Sequence, residues 1–131
     1  MKTKAVKGKF KPNYPAKYSG NHKKIIYRSL WERRFMLYCD RSYQVKSWVS
    51  EEIEIPYYDT EREKWRTYYP DFLIRTSDNR TILVEIKPKY QWGWQNNKDK
   101  WNAAIDFCDR KGYTFKVLGQ LELYGRGFKN S

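Results

Sequence analysis

Asp71, Glu85 and Lys87 are the residues whose types and spacing offer chemistry. The β-branched, apolar run Thr81-Ile82-Leu83-Val84-Glu85-Ile86-Lys87 predicts a strand whose side chains alternate between two faces. Ile82, Val84 and Ile86 share one face, and Leu83, Glu85 and Lys87 the other. A further carboxylate, Asp71, follows Pro70 on the strand expected just upstream. The Ser77-Asp78-Asn79 turn makes the two strands a hairpin. An odd-numbered loop centred on Asp78, or a bulge, then sets Asp71 opposite Glu85. Two carboxylates a few ångström apart stay ionised together only with a cation between them. Mg²⁺ suits that place, because it takes oxygen ligands at about 2.1 Å and keeps several waters. Such an ion can touch a phosphodiester oxygen and acidify an attacking water, while Lys87 orients that water or offsets charge building at phosphorus. Glu85 and Lys87 alone also fit a cross-strand ion pair on a solvated face. Pro70-Asp71 and the basic chain favour a site. A second acid-x-Lys triplet, Asp109-Arg110-Lys111, falls at a predicted helix end, where that spacing does not share a face.

Around these residues the pattern reads helix, three antiparallel strands, helix, strand. Ser29-Leu30-Trp31-Glu32 has the capping-box form, and Trp31, Phe35 and Cys39 recur at helical spacing. Strands are expected over Gln44–Pro56, Arg66–Thr76 and Thr81–Lys87, the last ended by Pro88. A second helix runs from about Gln95 to Arg110, stopped by Gly112, and Tyr113–Leu118 is a fourth strand. The expectation is an α/β domain over residues 29–131 with one mixed sheet flanked by helices. Residues 1–28 carry nine lysines and arginines and no acid, broken by Pro12, Pro15 and Gly20. They read as a partly extended basic arm, ordered on a polyanion, with Tyr14 and Tyr18 interleaved; a solvated tail is the competing account.

The bulk numbers agree with a folded domain that meets a polyanion. Of 131 residues, 40% are hydrophobic and 18% aromatic, enough for a core, while 27 basic residues against 15 acidic ones leave a net charge of +12. No apolar run is long enough for a bilayer and the basic N-terminus has no apolar face, so nucleic acid is expected rather than a membrane. Cys39 and Cys108 lie in predicted helices and read as buried thiols in a reducing cytosol. With His22 as the single histidine and no CxxC, a structural zinc site is not expected.

Pro70-Asp71 with Val84-Glu85-Ile86-Lys87 resembles the PD-(D/E)xK nuclease superfamily, whose shared restriction-endonuclease-like core is αβββαβ. Members similar to resolvases and transposon-end nucleases add a first-helix glutamate, a place that Glu32 fits. More narrowly, Tyr27 to Asp40, Trp48 to Tyr57 and Tyr69 to Lys89 resemble the head-completion nucleases of T-even-type tailed phages. That resemblance is specific at Trp31-Glu32-Arg33-Arg34-Phe35 and at Val84 to Lys89. It implies a Mg²⁺-dependent deoxyribonuclease, with Mn²⁺ substituting, that processes double-stranded or branched DNA as the capsid is completed. It further implies catalysis by Glu32, Asp71, Glu85 and Lys87, and metal binding by Asp71, Glu85, Glu32 and the Ile86 carbonyl. Phage portal or head proteins are the implied partners, and the host cytoplasm or the virion the implied location.

Other groups carry two readings each. Glu32 is either a metal ligand or the capping-box glutamate. Lys89 contacts phosphate or is a plain surface lysine. Trp92 and Trp94, with Tyr90, stack on a base or pack over the second helix. Arg33 and Arg34 meet phosphates or water, and Lys23, Lys24, Arg28 and Lys98 complete the expected DNA-binding set. Three functions compete: an endonuclease on phage DNA ends, a Holliday-junction-resolvase-like or transposon-end nuclease, and a non-catalytic DNA-binding head-completion protein. A steep salt dependence of binding without cutting would mark the third.

Overall fold

A computed structural model describes residues 6–124; Lys2 and Lys4 of the expected arm, and the Gly125-Arg126-Gly127 and Phe128 tail, lie outside that range. The elements in chain order are β1 (Gly8–Lys9), β2 (Ile26–Tyr27), α1 (Leu30–Arg41), β3 (Val45–Ser50), β4 (Ile55–Asp59), β5 (Lys64–Tyr68), β6 (Phe72–Thr76), β7 (Thr81–Ile86), α2 (Gln95–Lys111), β8 (Thr114–Leu118) and α3 (Gln120–Tyr124). The central sheet has the order β3-β6-β7-β8, with β3, β6 and β7 antiparallel and β8 parallel to β7. With α1 before it and α2 between β7 and β8, this is the expected αβββαβ core.

Strand alternation divides the core. Phe72, Ile74, Ile82, Val84 and Ile86 pack with Phe35, Met36 and Cys39 of α1. On the other face Leu83 packs with Ala104 and Cys108 of α2. Both helices end as their residues dictate. The Ser29 hydroxyl caps α1 by accepting from the Glu32 amide, and Gly112, at φ 75°, closes α2 in the left-handed conformation that favours glycine.

Three expectations are corrected. The strand read over Gln44–Pro56 is two strands: β3 stops at Ser50, Glu51 takes a left-handed φ of 56°, and β4 begins at Ile55. Val49, Ile53 and Ile55 stay in phase across that break, which hides it from an alternation pattern. The strand read over Arg66–Thr76 is likewise split by Tyr69-Pro70-Asp71, because proline cannot donate to a ladder. The result is a separate β4–β5 hairpin inserted between β3 and β6, whose Ile55, Tyr57 and Tyr68 seal the α2 face of the core.

The third correction concerns the arm. Residues 6–28 pack on the domain instead of standing apart from it. Phe10 and Ile25 are buried in the core beside Trp48, whose indole meets the rings of Phe10 at 5.9 Å and Tyr18 at 4.7 Å. The buried Asp40 carboxylate accepts from the Asn13 and Tyr14 amides at 2.8 and 3.0 Å, and the Lys17 ammonium donates to the Asp40 and Ser42 carbonyls. The apolar residues that anchor the segment are too few to show as a pattern, and their partners are distant in sequence.

Candidate active site

The β6–β7 register decides the site. Phe72 pairs with Val84, Leu73 with Leu83 and Arg75 with Thr81, so every pair sums to 156. Continued one step beyond the last ladder pair, this register puts Asp71, in the bend before β6, opposite Glu85, and the loop is centred on Asp78. The Thr76 amide donates to the Arg80 carbonyl, closing an odd three-residue turn that Asn79 completes at φ 66°. The loop condition set by the sequence is met, and Glu85 shares the face of Leu83.

At this end of the sheet Asp71 accepts from the Ile86 amide at 2.7 Å, which stitches the bend after Pro70 to the end of β7. Glu85 is 4% exposed; its Oε1 accepts from the Tyr68 hydroxyl at 2.8 Å, and its Oε2 lies 3.8 Å from the Lys87 ammonium. Glu32, in the first turn of α1, lies near enough for its charge to act on Asp71 and Glu85, and its Oε1 accepts from the Arg28 amide at 3.0 Å. The capping serine is satisfied, but the return bond of a capping box goes to Arg28 rather than to Ser29.

Burial raises the proton affinity of all three acids. Asp71 is pushed well above the ordinary aspartate range by desolvation, then by the Glu85 and Glu32 charges. Glu85 is raised by burial and pulled back by Lys87 and the Tyr68 hydroxyl. Glu32 is raised by burial, with Glu51 and Glu85 adding to the effect. The Tyr68 phenol stays protonated because it is buried beside Glu85. Gathered like charges of this kind are what a cation relieves. Among the described residues no three acidic, histidine or cysteine side chains already stand as a metal-ligand set. The donors present are carboxylate and peptide oxygens, which suit a hard divalent ion. Asp71 and Glu85 would hold it, with Glu32 and the Ile86 carbonyl adjoining.

Three residues of the site escaped the sequence reading. Tyr68 reaches Glu85 from the inserted hairpin, Lys100 lies on α2 with its ammonium 5.7 Å from the Tyr68 ring centre, and Glu51 holds Arg28 through a forked ion pair at 3.0 Å. Burial, then the Lys87 charge, lowers the Lys100 pKa. Tyr68-Tyr69-Pro70-Asp71 offered a local hint through proximity; nothing local marks Lys100 or Glu51.

Residues 42–120 match the family described as TnsA-like endonuclease N terminal. The chain belongs to the TnsA-like endonucleases. It is also 32% identical over 149 aligned positions to a protein named head completion nuclease from Enterobacteria phage T4, covering 97% of this chain and 99% of that one. The fold and membership of the PD-(D/E)xK superfamily follow, and with them a deoxyribonuclease acting on DNA. The family span takes in Asp71, Glu85, Lys87 and Lys100; Glu32 precedes it.

The DNA-contact candidates of this endonuclease divide on inspection. Lys23, Lys24, Lys89 and Lys98 are exposed, as is Trp94, which meets Tyr90 edge to face at 5.9 Å. Others are already engaged. Arg34 donates to the Leu123 carbonyl at 2.8 Å and covers the Tyr124 ring at 4.1 Å, so it clamps α3. Trp92 donates to the Lys87 carbonyl at 2.9 Å and packs against Trp101, which makes it a brace behind the site lysine. Arg28 is held by Glu51, and Arg33 lies over Tyr27 at 5.9 Å while remaining exposed. Arg34 and Trp92 thus have packing partners, α3 and Trp101, that the sequence order conceals.

Proposed function

We propose that this chain is a Mg²⁺-dependent DNA endonuclease that processes phage DNA ends during head completion, after packaging, with Mn²⁺ able to substitute. The observation that carries the chemistry is the register that sets Asp71 against Glu85 with Lys87 on the same face. The name of the T4 relative supports the biological setting. A bound divalent ion supplies Lewis acidity at the phosphodiester and an acidified water. The chain's own groups do the rest: Asp71 and Glu85 present the oxygens, Tyr68 holds Glu85 by one oxygen, and Lys87 faces the charge that grows at phosphorus. Glu32 adjoins both carboxylates and is assigned a catalytic share. Double-stranded or branched DNA is the substrate, portal or head proteins are the partners, and the work is done in the host cytoplasm on the maturing virion.

The test is cleavage of plasmid and linear DNA with Mg²⁺, Mn²⁺ or EDTA by wild type, Glu85→Ala and Lys87→Ala. Cutting by wild type alone, abolished by EDTA, is the expected result, with DNA retention by both variants. Variants as active as wild type would remove the assignment. DNA binding without cutting by wild type would favour a non-catalytic head-completion protein, and preference for four-way junctions a resolvase-like enzyme.

A further inference from the structure

We infer that Lys100 is a second phosphate-binding cation of the site, taking a phosphodiester of the DNA strand that is cut. The inference rests on the endonuclease reading above and adds a ligand contact to it. Asn96 and Lys100 are one turn apart on α2, so they share a face of that helix. That face is turned toward the inserted hairpin: the Asn96 amide donates to the Tyr57 hydroxyl at 3.3 Å, and the Lys100 ammonium sits 5.7 Å from the Tyr68 ring centre. The Tyr68 hydroxyl in turn donates to Glu85, so the ring spaces Lys100 from the carboxylate. Packing has placed a half-buried ammonium at the site, over the Tyr68 ring, without giving it a hydrogen-bond acceptor. Among the described residues it has neither a hydrogen-bond acceptor nor an ion pair.

An ammonium has three donors, and withdrawing it from water without an acceptor for them is costly. Lys87 and Arg66 are also near enough for their charges to act on Lys100. The Glu85 and Asp71 charges act on it as well, but from beyond ion-pair distance, and both acids are hydrogen-bonded elsewhere, Glu85 to Tyr68 and Asp71 to the Ile86 amide. A phosphodiester supplies what the arrangement lacks, since it is an anion with free acceptor oxygens. A solvated helix lysine would instead extend away from the hairpin.

The experiment measures binding of an unlabelled-end DNA duplex in EDTA across a salt series, with wild type, Lys100→Met, Lys100→Arg and Lys46→Ala. Methionine keeps the stem against Tyr68, and thermal unfolding confirms that each variant is folded. Lys46 serves as a control, at the opposite end of the sheet beside Asn79. In Lys100→Met the slope of log affinity against log salt should shrink by about 0.9, the value for one duplex phosphate, and single-turnover cutting should fall roughly tenfold or more. Lys100→Arg and Lys46→Ala should keep the wild-type slope. A folded Lys100→Met with wild-type slope and cutting rate would overturn the phosphate contact while leaving the endonuclease standing. Wild type that neither binds nor cuts DNA would overturn both.

Discussion

Replacing Tyr68 by phenylalanine removes one oxygen and leaves the ring that packs under Lys100 and against Leu83 in place. The lost bond runs at 2.8 Å to a carboxylate that is 4% exposed, so solvent cannot replace it easily. A hydrogen bond to a charged, buried acceptor contributes about 1.5–3 kcal/mol. At about 1.4 kcal/mol per factor of ten, the ionised form of Glu85 becomes roughly ten- to hundredfold less favourable. A divalent ion binds only that form, so its affinity should fall by a similar factor. Titration calorimetry with Mn²⁺ and cleavage rates across a Mg²⁺ series both read this change, and saturating metal should restore most of the rate. The sign with pH also follows. Burial raises the Glu85 pKa and Tyr68 opposes that rise, so the deficit of Tyr68→Phe should be greatest at low pH and shrink as pH climbs. Equal metal affinity for variant and wild type across that range would refute the role of the hydroxyl.

Asp40→Ala should cost roughly 3 kcal/mol of stability, because two backbone amides lose a charged, buried acceptor. The loss should also open residues 6–28 to trypsin at Lys17, Lys23 and Lys24, which timed proteolysis and thermal melts can follow. Cys39 and Cys108 should resist thiol reagents near pH 8 until the protein unfolds. Burial raises the Cys39 thiol well above its usual range, and burial, then Asp109, pushes Cys108 up to about 11. Since both folded values lie above those of the unfolded chain, the contribution of the neutral thiols is complete below the unfolded thiol range near pH 8.5 and declines as pH rises beyond it. Reagent kinetics and alkaline melts of Cys108→Ala check this.

Much of the core was legible because its signals are local. The apolar alternation of Thr81–Ile86, the serine cap at α1 and the glycine stop after α2 fix their elements within a few residues. The facing of Asp71 and Glu85 was legible too, because a hairpin carries register from its turn: once the loop centres on Asp78, every pair down the ladder is set. Three of the four residues assigned to catalysis thus follow from one strand, one turn and one proline.

What the sequence could not contain is how the rest of the chain closes around that ladder. The β4–β5 hairpin was invisible because apolar positions remain in phase across the break at Glu51. Its Tyr68, the Lys100 of α2 and the docked N-terminal segment gain their roles from contacts with residues 17 to 38 positions away. Only packing assigns Arg34 to α3 and Trp92 to Trp101. Pattern along a chain records which face a side chain takes; which distant side chain meets it there is decided by how the layers stack.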